Sequence, residues 1–388
     1  MTQQRCARCI LPREYPGVHF DEQQCCNFCR EEPPPTRLLG IDKLREIIAK
    51  HRPPSSEYDC AVALSGGRDS TFVLYHVARV LGLRPLAYTL DHGMLPDHTM
   101  ENIRNTVRIL EVPHVMVPSG MLRKWARPML RAWLKNPSGR TTTLLCLGCR
   151  QEMGASFIDV AVRHNTPIVL NGSGEGGGGD YFALRLFTNQ TKGWRRHLDV
   201  MAGFGLEFLR NPAFLAHPTA LWCMFQEYAS VALGIRQRRR PPGLKMISLF
   251  EFIPWDEQLI VDTIQRELGW RGSPDADATW RSDCNMAMLK YQFYSMTLGH
   301  TPHDAMIAEF VRHGRMTREQ GMARLAKDNR INEGFVRRLL DNAGVSAPER
   351  FWRKIAQAAK AQPVSCAPGG GNLNEPPQAE VSKTESQI

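Results

Sequence analysis

The chain is poor in features that would place it in a membrane or in a disulfide-built scaffold. None of its 388 residues belongs to a run long and apolar enough to span a bilayer. The most apolar stretch, residues 213–235, is interrupted by His217, Pro218, Gln226 and Glu227, so no membrane insertion is expected. Residues 1–6 carry no apolar core of the signal-peptide kind, and the expected location is the cytoplasm. No Walker A spacing, no glutaminase signature and no internal repeat is present. Negative charge is also scarce. There are 39 acidic against 49 basic residues, a net charge of +10 and an isoelectric point near 9.2. That balance permits nucleic-acid binding and equally suits an anionic small substrate.

What remains is globular. Hydrophobic residues make up 43% and charged residues 23%, enough for a full core and two or three domains. The eleven cysteines are odd in number, and several fall in Cys-x-x-Cys pairs. In a cytosolic chain this pattern points to metal or sulfur chemistry rather than disulfides.

An apolar run, Cys60-Ala61-Val62-Ala63-Leu64, ends in Ser65-Gly66-Gly67-Arg68-Asp69-Ser70, and a helical pattern follows from Thr71. This reads as a strand, a tight turn and a helix N-terminus. Such a turn aims backbone N–H groups and hydroxyls at one point and favours an anion, phosphate above all. A plain Gly-Gly turn capped by Asp69 and Ser70 would use the same residues.

Along the chain, residues 1–36 read as a cysteine module ending at Pro33-Pro34-Pro35, and 37–250 as a nucleotide domain. Residues 251–360 read as helical and 361–388 as a disordered tail containing Cys366. Strands are predicted over 60–64, 85–90, 114–117 and 167–171. Helices are predicted over 41–51, 70–81, 99–110 and 151–164, then over 286–298 and 335–342. The alternation implies an α/β fold with a doubly wound parallel sheet, its ligands at the carboxyl ends of the strands. The glycine-rich stretch 172–180 would lie at that edge, as a mobile cover or a flexible linker. Arg236-Gln237-Arg238-Arg239-Arg240 reads as an exposed loop, either a solvated charge run or an RNA contact.

Cys6-Ala7-Arg8-Cys9 and Cys26-Asn27-Phe28-Cys29 can set four thiolates tetrahedrally around Zn²⁺, leaving Cys25 spare. With four protein ligands such a site is structural. A second pair, Cys146-Leu147-Gly148-Cys149, precedes the helix predicted over 151–164. It is read as an iron–sulfur half-site, a second zinc site, a persulfide pair or plain buried thiols. Cys60 and Cys223 read as core thiols. Asp91, after the second strand, faces the nucleotide or caps a turn. Asp69, Glu175 and Asp180 are candidates for Mg²⁺.

The Ser65–Ser70 motif resembles the PP-loop of the ATP pyrophosphatases, an adenine nucleotide alpha hydrolase-like fold. That likeness implies ATP bound by Ser65, Gly66, Gly67, Arg68, Asp69 and Ser70, with Asp91 and Gly172 at neighbouring strand ends. It also implies Mg²⁺, transfer of AMP to a carbonyl-type oxygen, and displacement of AMP by nitrogen or sulfur. Arg68 stands where a lysine is frequent, and its guanidinium can still contact phosphate. The N-terminal segment through Cys29, Ile253-Pro254-Trp255-Asp256-Glu257, Glu267-Leu268-Gly269-Trp270 and Gly314-Arg315-Met316-Thr317-Arg318-Glu319 resemble the N-acetyl sugar amidotransferases of surface-polysaccharide synthesis.

Cys146 and Cys149 instead resemble the PP-loop enzymes that thiolate tRNA bases. There a third cysteine, by position Cys284 here, completes a three-thiolate [4Fe-4S] site. The expectation is therefore ATP-dependent adenylation followed by sulfur insertion, with Cys146, Cys149 and Asp69 as catalytic residues. The acceptor would be a purine, another lactam or a tRNA base, and a cysteine desulfurase would donate the sulfur. The alternative is amidotransfer to a nucleotide- or lipid-linked sugar with ammonia from a separate glutaminase. A third reading is a non-catalytic nucleic-acid binder using the knuckle and the basic loop.

Overall fold

A computed structural model describes residues 4–31, 37–173, 179–188, 193–229, 233, 243–274, 279–280 and 282–362. Glu175, the side chain of Asp180, the Arg236–Arg240 run, Pro33–Pro35 and the tail with Cys366 lie outside the described residues.

Five strands form the central sheet: β1 Cys60–Ala63, β2 Pro85–Asp91, β3 His114–Pro118, β4 Ile168–Asn171 and β5 Lys245–Ser248. All pairs are parallel, in the order β3-β2-β1-β4-β5. Val62 is in register with Ala87 on one side and Leu170 on the other. The chain builds outward from β1 to β3, then crosses back to place β4 on the far side of β1. Ligand crevices in open α/β sheets form at such a reversal, outside the carboxyl ends of the two strands.

The sheet is parallel because its strands are apolar on both faces. Ala61, Leu86, Tyr88 and Val169 pack against Val160 and Ala161 of helix Leu144–Arg163. Their alternates Cys60, Val62, Ala87, Ile168 and Leu170 share a core with Phe72 and Val73 of helix Arg68–Tyr75 and Ile103 of helix Asp97–Leu110. A second core, of helices only, lies beside this sandwich. It joins Trp133 of Arg127–Lys135 and Phe204 of Trp194–Arg210 to Phe293 of Asn285–Leu298 and Phe351 of Glu349–Ala361. Trp133 and Phe293 stack at 4.0 Å. Residues before and after position 250 therefore bury one another.

Three details differ from the sequence reading. β5 is a fifth strand, added beside β4 to the four predicted; its four residues begin with an exposed lysine, which hides the pattern. The helix after the nucleotide turn begins at Arg68 and regular α geometry ends at Tyr75, with a wider turn through Val80. Helix Leu144–Arg163 starts seven residues before the predicted 151, so Cys146 and Cys149 sit inside its first turns rather than ahead of it. Gly148 obscures that start. Glycine is needed there because a Cβ would come within 2.4 Å of the Trp125 ring. Among the described residues no helix is long and apolar enough to cross a membrane.

Candidate nucleotide site and cysteine centres

The turn after β1 closes on itself. The backbone N–H of Ser65 donates to Ser70 Oγ (3.1 Å), and the two serine hydroxyls meet at 2.9 Å. Gly67 N–H donates to Ser65 Oγ at 3.3 Å, and Ser70 Oγ donates to the Gly67 carbonyl at 3.1 Å. Gly66 has φ +77°, and a Cβ on it would stand 2.8 Å from the Thr99 carbonyl oxygen. Both facts restrict this position to glycine. Gly67 then caps helix Arg68–Tyr75, and the first N–H groups of a helix are of a kind that suits an anion. Gly172, after β4, forms the opposite wall: a Cβ there would be 3.0 Å from Asp69. The two strand ends of the switch point thus touch at Asp69. Asp91, at the end of β2, accepts a hydrogen bond from Gly93 N–H at 3.0 Å; its carboxylate caps a turn.

Arg68 corrects the expectation of a phosphate-binding guanidinium. The side chain is buried and turned into the protein. It pairs with Asp69 (Nε–Oδ1 3.0 Å) and with Glu257, and donates to Thr279 Oγ1 at 2.9 Å. The guanidinium lies over the rings of Trp255 (5.0 Å) and Trp280 (5.5 Å). A buried charge needs such partners. Only its backbone remains for an anion.

Several partners in this network escaped the sequence reading as functional residues. Trp255 Nε1 donates to Asp69 Oδ1 at 3.1 Å, and Trp270 Nε1 donates to the Gly66 carbonyl at 3.0 Å. Asp256 caps helix Glu257–Leu268, which points Glu257 toward Arg68. Arg324 grips Glu257 in bidentate fashion at 2.6 and 2.9 Å. Burial pushes the Glu257 carboxyl up, but the Arg324 hydrogen bonds and the Arg68 and Arg324 charges outweigh it and hold it at about 2. Trp255, Asp256 and Glu257 lie in one short segment and Trp270 in another, and both segments meet the turn after β1.

Cys6, Cys9, Cys26 and Cys29 are all buried, with their sulfurs within 4.8 Å of one another. The Cys9–Cys26, Cys26–Cys29 and Cys6–Cys29 separations are 3.5, 3.6 and 3.9 Å. A tetrahedral ion with bonds near 2.3 Å spaces its thiolates by about 3.8 Å. The four cysteines fit one ion of that size. N–H groups of Cys9 and Cys26 donate to Cys6 Sγ at 3.5 and 3.2 Å. A hydrogen bond from Cys26 draws the Cys9 thiol down to about 5. Helix Arg318–Asp328 reaches this module: Arg318 donates to the carbonyls of Cys6 (2.6 Å) and Ala7 (3.1 Å). Arg5 forms an ion pair with fully buried Asp304 at 3.0 Å.

Cys149, one turn after Cys146 on their helix, feels the charge of Cys284, the N-cap of helix Asn285–Leu298. Burial first, then the neighbouring Cys284 and Cys146, push the Cys149 thiol up. Cys284 is raised to about 11 by burial, against N–H donors at Ala287 and Met286. Among the described residues only the N-terminal four cysteines form a group within 4.8 Å. The three cysteines are therefore too spread for one ion. The Asp283–Cys284 segment adjoins the Ser65–Ser70 turn, because the Asp283 carboxylate lies against Gly67. The end of β2 closes the corner, with Asn285 N–H donating to the Met94 carbonyl at 2.8 Å.

No protein-family model matches the chain, and no curated protein matches it. Among solved structures, the U34-tRNA thiolase NcsA from Methanococcus maripaludis with its [4Fe-4S] cluster aligns over 81% of this chain and 87% of its own. The identity is 14% and the TM-score 0.32. A likeness this loose assigns neither substrate nor ligand.

Proposed function

We propose that this chain is an ATP pyrophosphatase of the PP-loop type that adenylates a carbonyl-type oxygen of its acceptor, releases pyrophosphate, and then exchanges that oxygen for sulfur as AMP departs. One juxtaposition carries this reading. The Ser65–Ser70 turn, at the β1/β4 reversal, meets Asp283, the neighbour of Cys284, and Cys284 in turn acts electrostatically on Cys149.

The backbone amides of Ser65–Ser70 would meet the phosphates, together with Mg²⁺, and oppose the negative charge that develops as the α–β bond breaks. Gly172 lets the β4 end approach Asp69, while Trp255 and Arg68 fix the Asp69 carboxylate. Cys146, Cys149 and Cys284 would hold a [4Fe-4S] cluster. Three thiolates for four irons leave one coordination position for a sulfur atom. Cys6, Cys9, Cys26 and Cys29 would hold zinc as a structural ion. The acceptor is read as a small purine-like or lactam molecule, with a tRNA base as the other candidate. A cysteine desulfurase would supply the sulfur as a persulfide, and a thiol reductant giving two electrons would bring it to the sulfide level that displaces AMP.

Amidotransfer to a sugar, with ammonia from a separate glutaminase, is favoured by one observation: all three C-terminal segments shared with the sugar amidotransferases contact the turn or the cysteine knuckle. Anaerobic purification separates the two. A brown protein with about three to four irons per chain, lost in Cys146→Ala, is expected. A colourless protein that makes AMP and pyrophosphate only with a glutaminase partner and a sugar acceptor overturns sulfur transfer. Release of ADP and orthophosphate overturns both.

A further inference from the structure

We propose that Asp283 makes the Ser65–Ser70 turn accept its nucleotide only together with a divalent cation. The proposal rests on the nucleotide reading of that turn. Asp283 Oδ2 lies 2.8 Å, and its Cγ 3.0 Å, from the point where a Cβ on Gly67 would stand. The carboxylate thus lies beside the α-carbon of Gly67, the residue that caps helix Arg68–Tyr75. A side chain at Gly67 would displace the Asp283 carboxylate from this seat.

Nothing described at this corner cancels the charge. Arg68, the nearest guanidinium in sequence, is committed to Asp69, Glu257 and Thr279. Among the described residues Asp283 has no ion pair. His92, which feels its charge, is no counter-ion. Burial pushes the imidazole below its ordinary value, and its Nδ1 accepts a hydrogen bond from Met94 N–H at 3.2 Å. Lys290 exerts its charge on Cys284 and Cys149.

A bare triphosphate entering the turn therefore meets favourable amides and one uncompensated carboxylate a few ångströms away. Repulsion between unit charges at that range, in the dielectric of a protein surface, weakens binding by roughly a hundredfold. Mg²⁺ reverses the sign, because it binds carboxylates together with phosphate oxygens. The repulsion becomes a filter against uncomplexed nucleotide and free polyanions. It also ties discharge of the turn to the segment that carries Cys284.

The test is calorimetric titration of the full chain with α,β-methylene-ATP, which cannot be split between the α and β phosphates, in magnesium-free buffer and with magnesium. The wild-type protein should bind at least about thirtyfold tighter with magnesium. Asp283→Asn should close most of that gap by gaining affinity in magnesium-free buffer, and Asp283→Ala, which removes the charge differently, should do the same. The proposal is overturned if both variants keep the full magnesium requirement, or if the wild-type protein binds equally well without magnesium. Failure of all three proteins to bind under either condition overturns the nucleotide reading itself, and this proposal with it.

Discussion

Trp255 restrains two residues of the nucleotide turn at once, through an indole hydrogen bond to Asp69 and a ring face under Arg68. Trp255→Phe keeps the ring and deletes the donor. It should weaken Mg·ATP binding roughly tenfold, the loss of one hydrogen bond to a charged group, with an unchanged circular dichroism spectrum. Unchanged affinity would remove Trp255 from the site. Glu257 makes a statement about pH. Its carboxyl sits at about 2 in the fold, below its ordinary 4.5, so its ionised form stabilises the protein. That contribution is complete above about pH 4.5 and is lost as the pH falls toward 2. Asp328, on the far side of Arg324, acts in the opposite sense, since burial pushes it to about 6. Glu257→Gln should cost on the order of 3 kcal/mol near neutral pH. It should also lose less stability than wild type in denaturant titrations between pH 4.5 and 3. Parallel losses would show that Glu257 is not the titrating group.

At the scale of elements, the turn and the knuckle are each legible because their logic is local. Ser65-Gly66-Gly67 follows an apolar run and precedes a helix, and the structure needs Gly66 for its φ of +77° and its closeness to Thr99. Gly66→Ala adds a Cβ against backbone rather than a yielding side chain. It should abolish detectable nucleotide binding and lower the melting temperature by several degrees; wild-type affinity would contradict the geometry. The knuckle's four cysteines likewise stand at metal-ligand spacing. Stripping the ion, or Cys26→Ser, should lower the melting temperature by more than about 10 °C. The loss should reach beyond residues 4–31, because Arg5 and Arg318 tie the module to Asp304 and to the helices around it. A melting curve unmoved by metal removal would mean that the four thiols hold themselves together.

Across the whole molecule, what the sequence showed and what it hid divide by range. Parallel strands buried on both faces leave continuous apolar runs, so β1, β2 and β4 stood out within a residue or two. β5 buries only its last two residues and begins with an exposed lysine, so it leaves no such run. The early start of helix Leu144–Arg163 depends on Trp125 filling the space beside Gly148, a contact that no local pattern records. The brace on the nucleotide turn was invisible for the same reason. Trp255 and Asp69 are 186 positions apart, and Trp270 and Gly66 are 204 apart. Arg68 was misread because its charge was matched to the nearest expected anion, whereas the fold supplies Glu257. Asp283 carried no signal beyond its neighbour Cys284.

Trp255, Trp270 and Trp280 surround the Gly66–Asp69 peptides, each within hydrogen-bonding or ring contact of this turn or of Arg68. The protein consequently carries its own optical probe. Ultraviolet emission from these three indoles should change in intensity as the turn fills, so acceptors and cations can be screened in solution without a label or a coupled assay.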